Sequence, residues 1–296
     1  MSAPGLPWLP GATGQALAAL CGVVEQAAGE VMVVYRQADV GQQTKADRSP
    51  VTQADLRADA LIRRELERLF PEAEVVSEES LHGRTALPAG AHFLVDPLDG
   101  TREFIGRNGE FTVNIARIED GRAVLGVVGL PVTGEVYAGA AGQGAWVWRD
   151  GTWTPLHAVA APSGPDGRLR VLHSRSHLAP ALQHWLHALP MPLQCEAAGS
   201  SLKFCRIAEG RADLYPRFGP TSAWDTAAGQ CVLEAAGGRV VDRAGQPLRY
   251  QPGRELPNPD FFALGDAGLC AAIGLPSRER PRPGIWARRS RSIRSG

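Results

Sequence analysis

The chain lacks any bias of charge sign: 31 lysines and arginines stand against 31 aspartates and glutamates in 296 residues. Nucleic acid is therefore not expected as a general partner, and any preference for anions has to be local. Cysteine is sparse. Cys21, Cys195, Cys205, Cys231 and Cys270 form no C-x-x-C pair and no zinc-like spacing with histidine. That pattern argues against a disulfide frame and for buried thiols in a reducing compartment. Long apolar runs are missing too, since no segment approaches the roughly 18 uninterrupted apolar residues of a membrane span. Residues 1–10 show no basic stretch followed by a continuous apolar core, so no signal peptide is expected. No internal repeat is present. These absences predict a soluble cytoplasmic protein, with peripheral contact at the inner membrane face left open. At this length two lobes are expected, because domains cluster near ~100–200 residues.

What is there divides into an N-terminal lobe over 1–150, a C-terminal lobe over 169–275 and a tail over 276–296. Apolar residues at helical spacing (Leu17, Leu20, Val24, Ala28, Val31) predict a helix over 15–36. Ser49-Pro50-Val51-Thr52 leads into a second over 53–70, with the stripe Ile62, Leu66, Leu69, Phe70 and a stop at Pro71. A short strand over 74–77 delivers Glu78 and Glu79. Segments 92–95, 112–118, 123–130, 135–140 and 145–148 are rich in Val, Ile and aromatics and are separated by turn residues. Such short connections predict antiparallel strands, with a short helix over 101–106. Proline and glycine over 149–168 suggest a linker. Beyond it, strands (170–173, 212–215, 239–241, 261–264) alternate with helices (178–188, 200–209, 225–236), an α/β pattern. The tail carries seven arginines against one glutamate and reads as disordered.

Chemistry concentrates in Asp96-Pro97-Leu98-Asp99-Gly100-Thr101, with Glu78-Glu79 upstream and Trp224-Asp225 far downstream. Carboxylates gathered in one cleft repel one another and call for a hard cation, and magnesium takes oxygen ligands. A Gly-Thr turn opening a helix offers N–H groups to a phosphate. Each piece has a plain alternative. D-P-x-D is also a turn with two solvated acids, and Glu78-Glu79 an exposed pair. Asp225 reads equally as a helix cap, and Asp55, three residues after Thr52, as half of a capping box. Their joint occurrence favours a magnesium-dependent phosphate-ester hydrolase.

The segments Ser77-Glu78-Glu79-Ser80, Val95-Asp96-Pro97-Leu98-Asp99-Gly100-Thr101 and Trp224-Asp225-Thr226-Ala227-Ala228-Gly229 resemble the signature regions of the inositol monophosphatase superfamily of lithium-sensitive phosphatases. Four further segments are similar to its bisphosphate nucleotidase branch: 45–55 (Lys45, Asp47, Ser49, Asp55), 107–116, 199–205 and 215–221. The resemblance runs over 16–264. It implies a layered αβαβα sandwich of mixed α+β and α/β character and a binuclear or larger magnesium site. Glu78, Asp96 and the Leu98 carbonyl would hold one ion; Asp96, Asp99 and Asp225 would hold another. The Thr101 hydroxyl, oriented by Asp55, would take a proton from the attacking water, with Glu79 supporting the metal ligands. The Gly100 and Thr101 amides would hold the scissile phosphate.

The implied substrate is a small nucleotide, adenosine 3′,5′-bisphosphate or its sulfated analogue, hydrolysed at the 3′-phosphate in support of sulfate assimilation. Its second phosphate would meet His177, Gly199, Ser200, Ser201, Lys203 and Arg217. Taken singly, Lys203 and Arg217 read as solvated surface charges and His177 as a loop residue or cap. The chain departs from the branch pattern at Arg102, where lysine is commoner, and at Ser222-Ala223. The alternatives are an inositol or sugar monophosphatase with the same metal centre, and a non-enzymatic phosphate- or RNA-binding protein working through the tail. Oligomeric state is left unassigned.

Overall fold

The computed structural model describes residues 9–44, 50–161, 164, 167–175 and 179–276. The Lys45, Asp47 and Ser49 motif positions, His177 and the tail beyond Pro276 lie outside them. Helix α1 (Gly11–Tyr35) sinks Leu17, Leu20, Val24 and Val31 into an outer core. By length and composition alone α1 would also suffice to cross a membrane, yet that apolar face packs against protein. A two-strand ribbon, β1 (Gln43–Thr44) and β2 (Pro50–Val51), leads into α2 (Gln53–Leu69), capped by Thr52. The face of α2 that buries Ile62 and Leu66 also buries Asp55 and Asp59. Carboxylates in an apolar stripe contradict the local pattern, and such conflicts collect at functional sites.

Both helices cover one face of a seven-stranded sheet: β3 (Glu74–Ser77), β4 (His92–Asp99), β5 (Thr112–Glu119), β6 (Arg122–Leu130), β7 (Glu135–Ala140), β8 (Gly144–Arg149) and β9 (Thr152–Pro155) in sequential order. All neighbours are antiparallel except β3 and β4. Helix α3 (Thr101–Ile105) follows β4. Period-2 alternation splits β4 between two cores. Phe93 and Val95 face α1 and α2, while Leu94 faces the opposite side.

The second sheet runs in the order β11 (Leu193–Ala198), β10 (Leu169–Ser174), β12 (Leu214–Arg217), β14 (Phe261–Leu264), β13 (Arg239–Asp242). Helix α4 (Pro180–His187) and the short α7 (Leu269–Ala272) share a core with its outer face. Between the sheets lie α5 (Leu202–Ala208) and α6 (Ala223–Ala235), in a core with residues of both. The layers therefore run α1/α2, large sheet, α5/α6, small sheet, α4/α7, which is the αβαβα sandwich expected. Helix α6 lies unusually close to the large sheet. A Cβ on Gly126 would come 2.6 Å from the Ala228 carbonyl, and one on Gly139 2.7 Å from the Val232 Cα. Those glycines let α6, and Asp225 with it, approach the large sheet.

Four strands went unread: the two-residue β1 and β2 of the ribbon, and the edges β9 and β11. Residues 152–155, assigned above to a linker, instead form the edge strand β9, in which only Trp153 is buried. Strand β11 is an exposed edge on most of its length. Neither edge carries the alternation that reveals a half-buried strand. Four of the five cysteines are buried, as expected, but Cys195 on β11 is exposed.

Candidate active site and cation centre

Parallel pairing aligns Ser77 with Val95, so the residues that follow, Glu78 and Asp96, lie side by side. Asp96 continues the face of β4 that carries Leu94. Asp99 follows Asp96 by three positions, an odd spacing that in a regular strand would point them to opposite faces. A bulge intervenes: Asp96 pairs with Asn114, and Asp99, not Leu98, pairs with Thr112. One extra residue shifts the alternation and returns Asp99 to the face of Asp96. Asp225 arrives from the first turn of α6. Carboxylate oxygens of Glu78, Asp96 and Asp225 lie within 4.8 Å of one another.

This concentration of negative charge has electrostatic consequences. Burial pushes Asp96 well above the usual carboxylate range, and Glu78, Asp99, Asp225 and Glu79 push it further. Asp225 is raised by burial, then by Asp99 and Glu78. Asp99 is raised by burial, against the pull of Lys203, Ser201 and Asn114. An all-oxygen set that repels itself this way, with Leu98 also lining the cavity, fits a hard divalent cation.

The capping alternatives turn out to coexist with the site. Asp225 occupies the third position of α6, not the residue ahead of it, and its Oδ2 accepts the Ser222 N–H at 2.8 Å. Asp55 Oδ2 likewise accepts the Thr52 N–H at 2.8 Å and lies 2.7 Å from the Thr52 hydroxyl. Its Oδ1 accepts from the Thr101 hydroxyl at 3.2 Å. In both acids the cap occupies one carboxylate oxygen and fixes the carboxylate plane.

One supporting residue was missed. Asp59, one turn after Asp55 on the same face of α2, accepts from Ser77 Oγ at 2.5 Å and from the Ser80 hydroxyl. It thus ties both ends of the turn that carries Glu78 and Glu79. The i+4 spacing from Asp55 was the available signal. Asp59→Ala should destabilise the protein by about 2–4 kcal/mol, since hydrogen bonds to charged groups are worth roughly 1.5–3 kcal/mol each. It should also lower turnover in the protein that remains folded. Urea melts and rates matching wild type would remove Asp59 from the site's support.

A cavity of about 390 Å³ joins the acids to a basic wall, with Gly100, Thr101, Arg102, Ser200, Lys203 and Arg217 among its lining. Lys203 is not a solvated surface charge. It is 3% exposed, donates to the Ala198 and Ser200 carbonyls at 3.1 and 2.6 Å, and sits 4.9 Å from the Tyr215 ring centroid. Burial pulls its ammonium down to about 8, with Asp99 opposing. Arg217 is 7% exposed. One of its nitrogens donates to the Pro220 carbonyl at 2.8 Å, while Nε is buried without a partner among the described residues. Glu79, Asp55, Gly199 and Ser201 do not line the cavity.

The sequence profile of the inositol monophosphatase family matches residues 14–271. The chain is 44% identical over 246 residues to the 3′(2′),5′-bisphosphate nucleotidase CysQ of Escherichia coli K12, covering 82% of this chain and 96% of that protein. Among solved structures it resembles CysQ from Bacteroides thetaiotaomicron, at 34% identity and TM-score 0.70 over 84% of this chain and 97% of the other. It also resembles an inositol monophosphatase from Zymomonas mobilis, at 26% identity and TM-score 0.71 over 90% and 100%.

Proposed function

The chain belongs to the inositol monophosphatase family, and within it we propose a magnesium-dependent 3′(2′),5′-bisphosphate nucleotidase. It hydrolyses the 3′-phosphate of adenosine 3′,5′-bisphosphate to AMP and phosphate, and accepts the sulfated analogue in the same way. The observation that carries this reading is the pairing of two walls in one cavity. The acidic wall of Glu78, Asp96, Asp99 and Asp225 would take the phosphate that is cut. Buried Lys203 and Arg217 in the same lining suit a second phosphate, one as a point charge and the other as a planar fork. A monophosphate of a neutral polyol has no use for that second wall. The nucleotidase relative points the same way.

Glu78, Asp96, Asp99, Asp225 and the Leu98 carbonyl would hold the ions. The chemistry such ions supply when bound is neutralisation of phosphoryl charge and acidification of water. The remaining work falls to the chain. The Thr101 hydroxyl donates to Asp55, so its lone pair accepts a proton from the attacking water while its own hydrogen passes to Asp55 Oδ1. Threonine is too weak a base without that relay. The bonds from Thr52 hold the Asp55 carboxylate in line. The Gly100–Thr101 turn, with Gly100 at φ 93°, lines the cavity, and its amides would hold the scissile phosphate.

Steady-state turnover with magnesium should favour adenosine 3′,5′-bisphosphate over inositol 1-phosphate and fructose 1,6-bisphosphate. Preference for either sugar phosphate would overturn the nucleotidase reading and leave the alternative phosphatase in its place.

A further inference from the structure

We propose that Ser201 and Asn114 are positioning residues that hold Asp99 for the cation, and that the 199–201 segment is a joint between lobes instead of a phosphate cradle. The inference rests on the assignment of Asp99 as a cation ligand. Three donors converge on one oxygen of that side chain. Asp99 Oδ2 accepts the Ser201 backbone N–H at 2.6 Å, lies 2.7 Å from the Ser201 hydroxyl, and accepts the Asn114 amide at 3.2 Å. The Asn114 amide also donates to the Ser201 hydroxyl at 2.9 Å, and that hydroxyl lies 2.9 Å from the Asp225 carbonyl. Ser201 is 2% exposed and Asn114 fully buried. With Oδ2 occupied, Oδ1 is the oxygen left to a cation. Asp99 and Asn114 belong to the first lobe, Ser201 and Asp225 to the second, so the cluster also fixes the two lobes against each other at the metal site.

The neighbouring backbone is committed in the same direction. The Gly199 N–H donates to Glu110 Oε2 at 2.8 Å, and Arg175 grips that carboxylate at 2.9 and 3.0 Å. A Cβ on Gly199 would come 2.5 Å from the Glu110 carbonyl oxygen, so only glycine permits the contact. Ser200, between them, adopts φ 42° in the left-handed region. That conformation is unfavourable for a residue with a Cβ, and it turns successive N–H groups toward Glu110 and Asp99. Neither Gly199 nor Ser201 has its amide left for a substrate phosphate. Ser200 and Lys203 do line the cavity.

Manganese binding to the full chain, followed by electron paramagnetic resonance, tests this without turnover. Ser201→Ala should weaken manganese binding about tenfold, the lower end of what loss of an orienting partner costs a metal site. Ser201→Thr, which keeps the hydroxyl, should restore it. At saturating metal, KM for adenosine 3′,5′-bisphosphate should stay at the wild-type value. Asn114→Ala should shift manganese affinity in the same direction, and it carries the test if Ser201→Ala fails to fold. A raised KM with unchanged manganese affinity would make Ser201 a phosphate ligand and overturn the proposal. Asp99→Asn separates the two layers of the argument. If it binds manganese like wild type, the cation assignment itself fails. If it loses binding while Ser201→Ala and Asn114→Ala do not, only the positioning inference fails.

Discussion

Asp96→Asn should reduce turnover of adenosine 3′,5′-bisphosphate by about a thousandfold or more while leaving the protein folded, and in the absence of metal more stable than wild type. The two effects share one cause. Asp96 is 2% exposed and sits among Glu78, Asp99, Asp225 and Glu79, all of which raise its pKa. Removing its charge relieves that repulsion without changing its shape, and the amide oxygen can still accept the Leu98 N–H, now at 3.1 Å. The same substitution removes a ligand central to the proposed ion site. Metal stabilisation of a phosphoryl transition state is worth several kcal/mol, and each ~1.4 kcal/mol is a factor of ten. Rates measured beside thermal melts in chelator check both halves. Wild-type turnover would contradict the assignment, and a lowered metal-free melting temperature would contradict its electrostatic basis.

The second large effect is a coupling of stability, pH and magnesium. Asp96, Asp99 and Asp225 have folded pKa values raised above those of the unfolded chain. Between the unfolded value, about 3.9, and the raised folded values, the native state binds more protons than the unfolded one. Stability of the metal-free protein therefore falls as pH rises through that window. Magnesium at the proposed site would act against the loss by supplying the missing positive charge, and protons would compete with it in acid. At a hundredfold excess over its dissociation constant a ligand stabilises by about 2.7 kcal/mol, or roughly 5–10 °C for a chain of this size. Melts with and without magnesium should show a shift of that order at pH 8 and a much smaller one at pH 5. In Asp96→Asn the difference between the two pH values should shrink. Equal shifts at both pH values would mean that the carboxylates do not exchange protons for metal.

Much of this arrangement was legible in the residue order, because the informative features are local. The stripes of α1 and α2, the Val-, Ile- and aromatic-rich runs of β4 to β8 and the acids beside Gly100 and Thr101 each sit within one short segment. The bulge at 96–99 was foreshadowed by Pro97, which cannot donate to a sheet ladder. What escaped is non-local or featureless. Strands β9 and β11 are edges with little burial, so they leave no period-2 signature. The contact of Ser201 with Asp99 spans 102 residues, and nothing near either position announces it. Lys203 could not be told from a surface lysine until the layers closed over it. Asp55 and Asp225 were ambiguous for another reason: a carboxylate has two oxygens, and each acid uses one as a helix cap.

Anomalous diffraction from crystals grown with manganese tests the central claim most directly. We expect manganese peaks at the carboxylates of Glu78, Asp96, Asp99 and Asp225, roughly 2.1–2.3 Å from their oxygens as hard cations of this size require. Manganese bound elsewhere on the chain, with those four side chains making no metal contact, would contradict it.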